Sequence, residues 1–547
     1  MKCGRRGLLL LVLSLSVLIG RTQSLKSYRS ALPEEVRSGK LRGPQHLADY
    51  VKDGKLSLSL RDAILLTLEN SSDIQVGQSQ IQDQKMAVLN AYAPFDAQLQ
   101  GTLQVNRSSS PGYTELQGVG QSSNATFNSL FQAGTIQYTQ TFQTGTNFQA
   151  SVLSNKNSTN SSFYYFNPFF SSSLNFQVIQ PLLRGAGRFA NVAPIVIARS
   201  KLAQSQASFE AEVSDAILRV VQQYWAAVLA KDNVDVSQKS YDLAEASYEH
   251  DKRALELGAL PQLDIYRSQS EMAARRVLVL QAEYALAQAE EDLRLTIGAD
   301  QDGQIHKLPL DLTENPAVKG DGEAMDPDAL LARALSRRPE IEAAARALDA
   351  DHASIRLAHN QLLPNLSFTG LYQSGGLGGD QYNLLTGQLI SVGGFDSSFS
   401  QLFGFGYPTY GGTLQLTLPL KNHAGEAALG TALVTQRQDL TAAQQARETI
   451  TREVSDAVHQ MEEAQLALDA AKTSYDLAQK SLAADQRKYE LGSETNFYVL
   501  DSQARQAQSE LVLLQTQVSY QLARAALNHA TGDILEPYQV QIRELAK

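Results

Sequence analysis

Ser240 to Gly298 reads SYDLAEASYEHDKRALELGALPQLDIYRSQSEMAARRVLVLQAEYALAQAEEDLRLTIG, and Ser474 to Gly532 reads SYDLAQKSLAADQRKYELGSETNFYVLDSQARQAQSELVLLQTQVSYQLARAALNHATG. The two stretches align without a gap at an offset of 234, with identities at Tyr241/Tyr475, Asp242/Asp476, Asp251/Asp485, Arg253/Arg487, Leu257/Leu491, Gly258/Gly492, Gln269/Gln503 and Gln281/Gln515. Both are rich in helix formers, and each is interrupted near its middle by one glycine, a residue free to close a turn at positive φ. The pattern is a duplicated helical hairpin. An internal repeat outranks length as a guide to architecture, so the 547 residues are expected to form two pseudo-equivalent halves.

Upstream of each stretch the helical pattern continues. From Asn191 to Glu256 the apolar positions Val213, Ile217, Val220, Tyr224, Ala227 and Val234 step by four and three, and Val454, Val458, Met461 and Leu468 do the same in the second half. A 3.5-residue repeat keeps one seam against a neighbour, so coiled-coil-like packing is expected. Lys231 and Lys472 break the seam, and lysines can snorkel from such positions. Val213 pairs with Val454 at offset 241, whereas Tyr241 pairs with Tyr475 at 234. The difference is one heptad, the gap that leaves the seam unrotated.

Before each rod lies a shorter helical stretch ended by Pro94 or Pro364, then period-two alternation. Phe95, Ala97, Leu99, Gly101, Leu103 and Val105 face one way, with Asp96, Gln98, Gln100, Thr102, Gln104 and Asn106 opposite. Leu174, Phe176 and Val178 alternate with Asn175 and Gln177, Leu366 and Phe368 with Ser367 and Thr369, and Leu414, Leu416 and Leu418 with Gln415 and Thr417. Such strands are apolar on one face and wet on the other. Two strands per half are expected in the wall. Phe127 to Leu153, also strand-like around Thr144-Gly145-Thr146, is placed outside it, and Gly375 to Gly394 is read as a glycine-rich loop.

Met1 to Gly20 sets Lys2, Arg5 and Arg6 before the apolar run Leu8 to Ile19, the layout of a secretory signal peptide over 1–24. Its removal takes Lys2, Arg5, Arg6 and Arg21, moving the formal charge from −10 to −14, and takes Cys3, the only cysteine. No disulfide or thiolate site then exists within one mature chain. The acidic balance, without a basic patch, argues against nucleic acid.

Two further motifs are set aside. Gly185-Ala186-Gly187-Arg188-Phe189-Ala190 fits a dinucleotide fingerprint, but the helix after it is far too long for a βαβ crossover. These glycines are read as turning strand into helix. His352 and His359 lie seven apart without a metal-binding pair, and no catalytic constellation stands out, so neither a metal, a cofactor nor an enzyme activity is expected.

Each strand set leaves a helix and returns to one, and exposed strand edges with one apolar face call for closure. The duplicated hairpin, the Leu56 to Leu68 start, the proline-ended helices and the turns LGALPQLD (Leu257 to Asp264) and LGSETNFYVLD (Leu491 to Asp501) resemble the TolC-like outer-membrane efflux and secretion channels. The resemblance spans Leu56 to Gly532. It implies a mainly α fold with a membrane β-barrel portion: duplicated coiled-coil-like hairpins plus four barrel strands per chain, closed as a homotrimer. It also implies a non-enzymatic channel in the outer-membrane lipid. A periplasmic adaptor (membrane fusion) protein and an inner-membrane transporter would be its partners, in tripartite efflux or type I secretion.

By position, the resemblance makes Asp264, Tyr489, Glu494, Tyr498 and Asp501 a periplasmic gate. Gly258, Ala259, Leu260, Gly492 and Ser493 become adaptor-docking tips. Tyr498 stands where the family has a second acidic residue. Glu494 stands where it has a base that pairs with Asp264. The expected order is signal peptide 1–24, flexible leader 25–55, first repeat 56–298 (strands within 95–182, tip near 258), and linker 299–328. The second repeat, 329–532 (strands within 365–420, tip near 492), and a tail, 533–547, complete it. A periplasmic coiled-coil adaptor or spacer is the alternative, though it would carry one hairpin between compact β domains.

Overall fold

A computed structural model describes residues 43–111, 126–161, 164–257, 262–317, 325–491, 493 and 496–540. The expected signal peptide, most of the leader and the end of the tail lie outside them. In chain order, β1 (Val51–Lys52) and β2 (Lys55–Leu58) precede α1 (Leu60–Asn70) and α2 (Ser72–Ala91). Four long strands follow: β3 (Gln98–Pro111), β4 (Thr126–Thr141), β5 (Asn147–Thr159) and β6 (Phe166–Pro181). Helices α3 (Gly187–Glu256) and α4 (Gln262–Thr296) complete the first half, and β7 (Leu310–Leu312) lies in the linker. The second half contains α5 (Pro327–Arg337), α6 (Pro339–Gln361), β8 (Asn365–Tyr382), β9 (Leu389–Ser391), α7 (Phe395–Gly404), β10 (Pro408–Thr417), α8 (His423–Glu490) and α9 (Asn496–Ala530).

The chain forms two compact units, each assembled from both halves. The first comprises the described residues within 1–75, 213–324 and 459–529, and holds both hairpin ends. Its core includes Leu56, Leu58, Ile64, Ile217, Val220, Tyr224 and Leu293, all at most 1% exposed. The Tyr224 hydroxyl donates to the Leu58 carbonyl at 3.1 Å and accepts from the Glu314 amide at 3.2 Å. Burial pushes this phenol up to about 12. Leu58 ends a strand: β2 pairs in parallel with β7, and Ser59 caps α1 in a box with Asp62. Residues 51–58, the end of the leader and its continuation, are thus tied into a small sheet with the linker. Lys231, at the break in the seam, lies 3.7 Å from Asp311.

The second unit comprises the described residues within 76–212, 325–458 and 530–547. Its main sheet runs β10-β8-β6-β5-β4-β3, with β9 on the side of β8, and every neighbouring pair is antiparallel. Six long strands therefore replace the four expected per chain. The segment placed outside the wall supplies β4 and β5, turned at Gly145 (φ 86°) and fully paired on both edges. The expectation missed them because their alternation is diluted: Gln132 and Gly134 share the face of Ile136 and Tyr138, while Phe131 and Ala133 sit opposite.

Gly375 to Gly379 likewise belong to β8, not to a loop. A side chain at Gly376 would strike the Ser398 carbonyl, so the bare backbone is what lets α7 lie on the sheet. Gly185 and Gly187, both at positive φ, turn β6 into α3 as read from sequence. The Gly185 amide is held by Asn360 Oδ1 at 2.8 Å.

Candidate functional site at the hairpin ends

The hairpin ends lie in the first unit, where α3 meets α4 and α8 meets α9. Each hairpin is cross-tied 17 residues apart in sequence by the same pair. The Ser268 hydroxyl donates to Asp251 in the first hairpin, and the Ser502 hydroxyl donates to Asp485 in the second. Both pairs repeat at the offset of 234. Asp251 is 5% exposed and Ser268 4%, so the first tie is buried. Asp485 also receives the Lys488 ammonium at 3.4 Å. The Ser502 hydrogen bond, with Lys488 and Arg505 after it, holds the Asp485 carboxyl below the usual range.

Between the hairpins, the rings of His250 and Tyr489 meet edge to face at 6.3 Å. Burial, and after it the Asp251 carboxylate, pushes the Tyr489 phenol up, so it stays protonated as a donor at any physiological pH. The Arg267 guanidinium lies 5.5 Å from the Phe497 ring, which itself meets the Tyr498 ring at 5.5 Å. Asp501 makes an ion pair with Arg505, one turn on in α9, at 2.9 Å.

Of the sequence-expected gate, the structure thus describes Tyr489 against the first hairpin and Tyr498 and Asp501 on α9. The main chain of Asp264 lies in the first turn of α4, but its side chain, Glu494, and the tip residues Gly258, Ala259, Leu260 and Gly492 lie outside the described residues. Ser493 closes the end of α8, its amide and hydroxyl both donating to the Lys488 carbonyl at 3.0 and 2.9 Å. Sequence reading missed the two serines and Arg505. The signals were present: Ser268/Ser502 is a further identity at the repeat offset, and Asp501/Arg505 has helical i,i+4 spacing. Among the described residues no group of three or more His, Cys, Asp or Glu forms a metal cage.

Paired long helical hairpins interleaved with two strand sets define the TolC-like fold. Residues 330–533 match the family model described as outer membrane efflux protein. Over those residues the chain is similar to the outer membrane efflux proteins. Probable efflux pump outer membrane protein TtgC of Pseudomonas putida is 22% identical over 298 residues, 54% of this chain and 56% of that one. Outer membrane protein TolC of Vibrio cholerae is 24% identical over 341 residues, 62% of this chain and 72% of that one. The match thus spans about half the length of the first of these relatives. Among solved structures, the Campylobacter jejuni CmeC outer membrane channel superposes with a TM-score of 0.61 at 15% identity, covering 92% of this chain and 91% of that one. That likeness concerns the fold.

Proposed function

We propose that the protein is the outer-membrane conduit of a tripartite efflux system, acting as a homotrimer without chemistry of its own. One observation carries this reading: a sheet of six long strands with one mainly apolar and one mainly polar face, whose outer edges at β3 and β10 have no strand partner among the described residues. A sheet of this kind is stable in lipid only when copies close it into a barrel. The strands, 10 to 18 residues long, are long enough to cross a bilayer at a tilt.

Solutes would enter between the hairpin ends, where Tyr489, Tyr498 and Asp501 form the gate together with Asp264 and Glu494. The tips at Gly258, Ala259, Leu260, Gly492 and Ser493 would meet a periplasmic adaptor, itself coupled to an inner-membrane transporter. The names of the relatives, efflux pump outer membrane proteins, favour efflux over type I secretion. An adaptor or spacer has no use for a membrane wall. The mass of the detergent-extracted particle tests the assembly: three chains are expected, and a stable monomer would sink the shared barrel.

A further inference from the structure

The register carries two faces unbroken across all six strands. One row runs Leu99, Tyr138, Ala150, Phe176, Tyr372, Tyr410, and the next residue along runs Gln100, Gln137, Ser151, Asn175, Gln373, Thr409. Directly opposed residues share a face, so the first row belongs to an apolar surface and the second to a polar one. In the β4–β5 hairpin Ile136, Tyr138, Phe148 and Val152 lie on the apolar side, and Thr135, Gln137, Gln149 and Ser151 on the polar side, which there also carries Phe131 and Leu153.

The described residues of the polar face include no Asp, Glu, Lys or Arg. The charges of the hairpin and of β3 fall on the other face, beyond its apolar band. They are Lys156, whose ammonium sits 5.5 Å from the Phe170 ring, and Arg107, opposite Leu130. Cations at the rim of an apolar band are what a membrane interface accommodates.

The hairpin also preserves strand polarity. Because β3 is antiparallel to β4 and β5 to β6, inserting the two together leaves β3 and β6 pointing in opposite directions, as they would without it. Two strands can therefore be added to each chain's share of a barrel without changing the helices that feed it.

We infer that the β4–β5 hairpin is part of the lipid-facing wall and widens the barrel to a broad, uncharged exit that passes bulky hydrated solutes irrespective of their charge. The inference rests on the trimeric conduit proposed above. Six strands from each of three chains give eighteen, and at about 4.8 Å spacing and a tilt of about 40° the wall is about 36 Å across, against about 24 Å for twelve strands. Amide and hydroxyl side chains bind water without selecting an ion's sign, so selection is left to the hairpin ends.

Single cysteines introduced on a Cys3→Ser background and read by maleimide labelling of the trimer in lipid vesicles test this. Gln137→Cys and Gln149→Cys should react at equal rates with cationic and anionic membrane-impermeant reagents. Both should also react with a polyethylene-glycol maleimide too wide for a twelve-stranded lumen. Ile136→Cys and Val152→Cys should react on the order of tenfold more slowly or less, because lipid disfavours the thiolate. Gln177→Cys and Val178→Cys in β6 are the controls. Alternation there but equal labelling at 136 and 137 puts the hairpin outside the wall and overturns the inference, as does exclusion of the polymer or a charge preference at 137 and 149. No alternation at 177 and 178 removes the membrane wall itself and takes the proposed function with it.

Discussion

Two aspartates show how the surroundings of one side chain decide its work. Asp351 in α6 is 6% exposed, and burial pushes its carboxyl up to about 6, with the Asp439 carboxylate of α8 as the next cause; His352 and Lys201 oppose the shift. Between about pH 4 and 6 the folded state keeps a proton that the unfolded chain has released, so stability falls as pH rises through that window. Asp351→Asn should leave the thermal midpoint nearly unchanged at pH 4. At pH 7.5 it should stabilise by on the order of 1 kcal/mol, read by calorimetry. Asp251 is also buried, and it accepts a hydrogen bond from the Ser268 hydroxyl. Ser268→Ala should destabilise by about 1–2 kcal/mol, as loss of a hydrogen bond to a charged group does, in the same measurement.

Asp501 has its own counter-charge, the Arg505 guanidinium at 2.9 Å. If Asp501 faces the pore, Arg505→Ala should raise the cation-to-anion permeability ratio, measured as a reversal potential across a salt gradient. These neighbours were within reach of the sequence, since the Asp251/Asp485 identity was visible and the serines sit at the same offset. What one chain's sequence does not give is depth: nothing in the letters of Asp351 distinguishes a buried carboxylate from the exposed ones around it.

At the scale of elements, the long helices were the most legible part, because a stepped apolar pattern sustained over many turns has no strand alternative. Helix α3 is 70 residues long, about 105 Å at about 1.5 Å per residue, and α8 is 68. The seam residues Val213, Ile217, Val220, Tyr224, Val454 and Val458 are all buried. Strands with clean alternation, β3 and the lower part of β6, were equally readable. The failures share one cause, residues chosen for a neighbour that only the fold supplies.

Gly376 and Gly378 look like loop residues until α7 is seen lying on them, and Gln132 and Gly134 blur β4 until its register with β3 and β5 is known. Gly376→Val should lift α7 from the sheet and speed chymotryptic cleavage at Phe399 or Phe403. Gly375→Val, with open space at the Cβ position, should not. Equal protease resistance in both variants would separate α7 from the glycine surface.

For the whole molecule, the duplication joins the local findings into one account. The repeat gives each chain two hairpins, tied by the same Asp–Ser pair, and a strand set from each half contributes to one sheet. A sheet with one apolar face and two edges without a strand partner among the described residues suits a membrane, and hairpin ends carrying Tyr489, Tyr498 and Asp501 suit the proposed gate. Purified protein in a planar lipid bilayer tests that joint claim most directly. The account predicts discrete conductance steps, rare in the native protein and more frequent in Tyr489→Ala, which loses the ring contact with His250 between the hairpins. Native protein and variant both inserted in the bilayer and giving no stepwise conductance would contradict it.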